Sequence, residues 1–173
     1  MEEKTVSSGK ISVNYGLVAA LGAIAFTMVV DIAGMMGNQA IQYLWYVILI
    51  VIVVLAHREF KNKGDGYMNY GQGLGIAVLI SLISSVISSI FFYFYITAIN
   101  KNFIANMLRI QKEKLVEGGM YGAELDKTME ATESFMSPVI MTLFGLIGGF
   151  VISVIVCLIV TAITQKKRPE NLA

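Results

Sequence analysis

Few side chains in this sequence have the chemistry and the setting to do more than pack. Asp31 stands out as the one ionisable group well inside an apolar block. Insertion scales put a mid-helix aspartate at about +2.5–3.5 kcal/mol, so such an acid either carries a proton or is held by a partner. Stepping by four along its block gives Ala19, Ala23, Thr27 and then Asp31, one helical face that points at other helices. Asn100 and Lys101, just beyond the third apolar block, lie at a matching depth, and a structural Asp31–Lys101 pair is the favoured reading. Proton coupling is the alternative, but a coupling acid belongs at mid-span, and there the residues are Gly22, Ala23, Ile24 and Ala25.

The remaining reactive types are isolated. Cys157 is the one cysteine, with no His or acid near it in sequence, so it reads as an inert small residue. His57, beside Arg58 at the end of an apolar block, reads as an interfacial residue, not a metal ligand. Gly71, Gly73 and Gly75 imitate a phosphate loop, but no strand precedes them and a membrane helix follows. Glu124, Asp126, Glu130 and Glu133 form an acidic stretch without His or the spacing of an ion-binding loop. No zinc-protease, nucleophile-elbow, His–Cys or paired-acid pattern occurs. The chain is therefore expected not to be an enzyme, with no catalytic, cofactor-binding or metal residue assigned.

The elements that carry these residues follow from composition. Of 173 residues, 56% are hydrophobic and 14% charged, against about 25% charged in a soluble chain. The apolar residues fall in four blocks, about 13–36, 40–56, 74–99 and 138–163. At about 1.5 Å per residue they cover about 26–39 Å against a hydrocarbon core of about 30 Å, the second being the shortest, and lipid forces such blocks to be helices. This excludes a soluble enzyme, a disordered chain and a collagen-like fibre. A formal net charge of +1 gives no field to attract nucleic acid. The expectation is an all-α membrane four-helix bundle in a single domain, whose first partner is the lipid bilayer. Eight Lys and Arg residues lie on the face shared by both termini and five on the other, which places the termini in the cytoplasm.

Small residues spaced by four mark two helix faces: Ala77, Ser81, Ser85 and Ser89 in the third block, and Gly145, Gly149 and Ser153 in the fourth. Close helix packing is the favoured reading. A polar path through the third helix is the alternative, and it lacks titratable groups at mid-depth. The 100–137 loop has helical spacing in Phe103, Ile104, Met107, Leu108, Gln111 and Leu115, a break at Gly118 and Gly119, and then the acidic stretch. It reads as an extramembrane helical hairpin, basic then acidic. Ser137 and Pro138 form a cap and first turn that launch the last helix.

Together, the stretch Arg58-x-Phe60 to Gly64-Asp65-Gly66-Tyr67-Met68-Asn69-Tyr70-Gly71-Gln72-Gly73-Leu74, the long helical loop, Ser137-Pro138 and the closing Lys166-Lys167-Arg168-Pro169 resemble domain of unknown function 4199. The resemblance covers nearly the whole chain. It implies a small bacterial inner-membrane protein and supplies no activity, cofactor or site residue. The expected role is a non-enzymatic structural, assembly or signalling component whose 100–137 loop contacts the membrane surface or a protein partner, including a second copy. The alternative is a small oligomeric transporter or channel with Asp31 as its coupling acid.

Overall fold

Polar caps set the helix boundaries, and they lie outside the apolar blocks. In the computed structural model, which describes residues 7–169, Ser7 is extended and its hydroxyl accepts the Lys10 amide, starting α1 (Ser8–Ile32). Gly34, at φ +67°, turns the chain away in a conformation that other residues rarely adopt. Asn38 caps α2 (Gln39–Lys63). Asn69 and Gln72 form a reciprocal capping box at the start of α3 (Tyr70–Phe94). A π-helical turn, Tyr95–Ile99, extends α3. Two shorter helices follow, α4 (Phe103–Glu117) and α5 (Gly122–Phe135), which pack on each other. Ser137 accepts the Ile140 amide and Pro138 occupies the first turn of α6 (Pro138–Thr164).

The four long helices, counting the π turn with α3, have mean hydropathies of 1.9, 2.2, 2.4 and 2.9 in their most apolar windows. At about 1.5 Å per residue each exceeds the thickness of a bilayer core. The chain is a multi-pass membrane protein. Large apolar side chains point outward along these helices, with Ile32 79% and Ile163 78% exposed, as a lipid-facing surface requires. Relative to the expected spans, α1 starts earlier and ends earlier, and α2 runs on to Lys63. Hydropathy marks where apolar residues stop, whereas caps mark where backbone hydrogen bonding stops.

α3 lies at the centre and packs along both α1 and α6, with α2 bridging α1 and α6. Its approach to α1 is close, and a Cβ added at Gly16 would lie 2.9 Å from Ile83. Buried apolar residues form two separate clusters. The larger, at the end that carries the termini, includes Ile11, Leu49, Val53, Ile76, Ile80 and Val160. The smaller, at the far end, is built on Tyr95, Ile96 and Phe103 with Met28, Phe92 and Met141 against them.

The termini end is tied by polar contacts. Met68 and Lys166 exchange two backbone hydrogen bonds of 2.9 Å, and Arg168 pairs with Asp65. The Tyr67 amide, and after it Arg168, hold the Asp65 carboxyl below its ordinary value. At the far end, α4 crosses the α1–α2 turn. A Cβ at Gly37 would meet Ile110 at 2.8 Å, and Lys114 Nζ donates to the Gly37 carbonyl at 2.7 Å.

His57 departs from its expected interfacial position. It is fully buried, with Nδ1 2.7 Å from Thr164 Oγ1 and Nε2 2.9 Å from the Gly73 carbonyl. The reason is the length of α2: the helix continues past His57 to Lys63, so the imidazole faces the α3–α6 junction. Lys61 reinforces that junction by donating to the Thr164 carbonyl at 2.9 Å.

Candidate functional site: a chamber between the two cores

Between the two clusters the side chains do not fill the bundle, and a chamber of about 520 Å³, partly open to the outside, remains. α3 contributes one wall, with Ser81, Ser84, Ser85, Ser88 and Ser89. Their spacings of three and four place them on a single helical face. α1 and α2 supply an aromatic wall, Phe26, Trp45 and Tyr46, in which Phe26 and Trp45 lie 6.1 Å apart between ring centroids. α6 supplies Thr142, Gly145, Gly149 and Ser153. Leu49 of the larger cluster also borders the chamber. Phe92 and two α4 residues, Phe103 and Met107, border it from the far-end cluster, so α4 contributes to a membrane-helix cavity.

No lining residue is charged. The hydroxyls differ in how they are satisfied. Ser81 Oγ lies 3.3 Å from Cys157 Sγ, and Ser88 donates to the Ser84 carbonyl. Ser84 and Ser153, only 4% and 5% exposed, also line the chamber, and the buried polar side-chain atoms left without a partner among the described residues are Thr161 Oγ1 and Gln165 Oε1. Cys157 itself is buried behind Ser81.

The structure divides the two small-residue faces. Ala77 is buried in the larger core cluster and Ser81 is buried at the edge of the chamber, whereas Ser85 and Ser89 are only partly buried and turn toward the chamber. Gly145 and Gly149 are not sites of close approach, because a Cβ at either meets nothing within 4 Å. Spacing by four fixes which residues share a face. It does not reveal whether that face meets a helix or a void. Close approach occurs instead at Gly16 and Gly73, where a Cβ would fall 2.9 Å from Ile83 and 2.8 Å from Met68.

Asp31 does not pair with Lys101. Its Oδ2 accepts from the Tyr95 hydroxyl at 2.5 Å and from Asn100 Nδ2 at 2.6 Å, while Lys101 is exposed on the turn before α4. The π turn explains the choice. In an α-helix, residues five apart are rotated by about 140° and face different ways. Here the Asn100 amide bonds the Tyr95 carbonyl at 2.7 Å, five residues back, and this wider winding brings both side chains to Asp31. Asp31 borders a separate small pocket of about 80 Å³ with Asn106 and Arg109, not the chamber.

A second cleft, of about 430 Å³, runs between α4 and α5. Arg109 and Lys112 face Asp126, Glu130 and Glu133 across it. Among the described residues no group of three or more His, Cys, Asp or Glu side chains is placed to hold a metal ion.

These features define a class: a multi-pass membrane protein of four long apolar helices, with two charged helices before the last and an uncharged chamber inside. The chain belongs to the family described as "Protein of unknown function (DUF4199)", whose model matches residues 14–166, from within α1 to just past the end of α6. No curated protein and no solved structure matches it.

Proposed function

We propose that this protein is a non-enzymatic assembly or signalling component of the bacterial inner membrane, with α4 and α5 as its contact surface outside the bilayer. The carrying observation is how these two helices are mounted. α4 is fastened to the α1–α2 turn through Ile110 and Lys114, whereas α5 takes its packing chiefly from α4. The acids of α5 remain exposed, as do Tyr121 and Phe135 at 66% and 63%. A charged face flanked by exposed aromatics suits a protein partner or the headgroup layer. The excess of Lys and Arg on the termini side supports cytoplasmic termini, which would place α4 and α5 in the periplasm. A transporter that uses Asp31 as a coupling acid draws less support, since Asp31 is held by Tyr95 and Asn100 away from the chamber.

The test is cross-linking in intact membranes before mild solubilisation, comparing wild type with the triple variant Asp126→Lys, Glu130→Lys, Glu133→Lys. Loss of a stoichiometric cross-linked partner, or of a cross-linked second copy, is the expected result. If the cross-linked species and their yields do not change, α5 is not the contact surface.

A further inference from the structure

We propose that the chamber is a binding site for an uncharged amphiphile that presents a carbonyl oxygen on an apolar body, the chemistry shared by an ester lipid and a quinone. Its volume of about 520 Å³ falls within the roughly 300–1,000 Å³ range of ligand pockets. The lining contains no charged side chain, so a charged ligand would lie there without a counterion. The polar groups on offer are mainly hydroxyls, with the Gln42 amide and the Trp45 indole beside them, and Ser84 and Ser153 among the hydroxyl residues are more than nine-tenths buried. A hydroxyl that lines an apolar chamber can donate to an acceptor oxygen that enters between α3 and α6. Opposite the serines, Phe26 and Trp45 offer flat apolar surface to the body of the ligand, and Phe92, one turn beyond Ser88 on α3, adds to it from the far end. On the α6 side the wall is formed by Gly145 and Gly149, where no atom stands within 4 Å of an added Cβ, so the space beside them is free to receive it.

Trp45 is the only tryptophan and lines the chamber, which makes its fluorescence a direct readout. The purified full chain in detergent is titrated with a decyl-substituted quinone, with a monoacylglycerol brominated on its chain, and with a similarly brominated lysophosphatidylglycerol. The expected result is saturable quenching by at least one uncharged probe and none by the anionic one. Quenching by the quinone alone, or by the monoacylglycerol alone, identifies the source of the carbonyl. Gly149→Leu fills the open space at the α6 wall of the chamber and should weaken saturable quenching at least tenfold while helical content and melting are retained. The double variant Ser84→Ala, Ser153→Ala should weaken it by roughly 2–10-fold for each hydrogen bond lost. Non-saturable quenching that is the same in wild type and Gly149→Leu would overturn the proposal. So would equal affinity for the anionic probe.

Discussion

Two glycines in this bundle should respond in opposite directions to the same substitution. At Gly16 an added Cβ would lie 2.9 Å from both Cβ and Cγ2 of Ile83 and 3.2 Å from its Cδ1. Ordinary carbon contacts are about 3.5–4.0 Å, so the overlap is roughly 0.6–1.1 Å. Ile83 cannot swing clear, because its Cβ is fixed to the backbone and Cγ2 moves only with a stiff χ1. α3 must therefore shift away from α1, and overpacking of this kind costs about 1–3 kcal/mol. The rigidity of the obstruction argues for the upper half of that range. At Gly149 an added Cβ meets nothing within 4 Å, so Gly149→Ala retains only the gain in helix propensity, about 0.5–1 kcal/mol. The assay is thermal unfolding in one detergent, followed by circular dichroism and by the loss of the monodisperse species on gel filtration. Gly16→Ala should melt lower than wild type and Gly149→Ala slightly higher. A Gly16→Ala variant as stable as wild type would show that α1 and α3 do not meet at this position, and the packing described around α3 would fall with it.

Two further predictions concern the buried polar groups. His57→Ala removes a fully buried ring and both of its hydrogen bonds, and should cost about 2–4 kcal/mol in the same melt; unchanged melting would mean the α2–α3–α6 junction is not held there. Asp31→Asn keeps an oxygen acceptor for Tyr95 and Asn100 but loses charge assistance, about 1 kcal/mol, whereas Asp31→Ala strands both donors at about 2–4 kcal/mol. Lys101→Ala should stay within about 0.5 kcal/mol of wild type, and a larger loss would restore Lys101 as the partner of Asp31.

The helices were legible in the sequence for a simple reason: lipid permits few backbone solutions, and four apolar blocks with polar breaks leave little choice. The Ser137–Pro138 start of α6 was equally readable, since a cap is a local signal. Partners were harder. Depth along a span brought Asn100 and Lys101 equally near Asp31, and the choice between them depends on a π turn that hydropathy does not encode. His57 was misplaced because an apolar block ends before the helix that contains it. The serine and glycine faces were visible as faces, but the chamber was not. A row of small residues is written the same way whether it admits a neighbouring helix or leaves room beside it.

The central position of α3 constrains the order in which the molecule can be completed during synthesis. α1 and α2 emerge first, yet α1 finds its most extensive partner only when α3 arrives. α2 waits longer. The imidazole of His57 needs Gly73 at the start of α3 and Thr164 at the last residue of α6, so its second partner arrives only once the whole of α6 has been made. Until then a fully buried polar ring lies in a span without its full set of bonds, which favours a loosely held α2. α6 thus acts as the closing bolt of this bundle, and a chain truncated before Thr164 would leave α1, α2 and α3 inserted but unlocked.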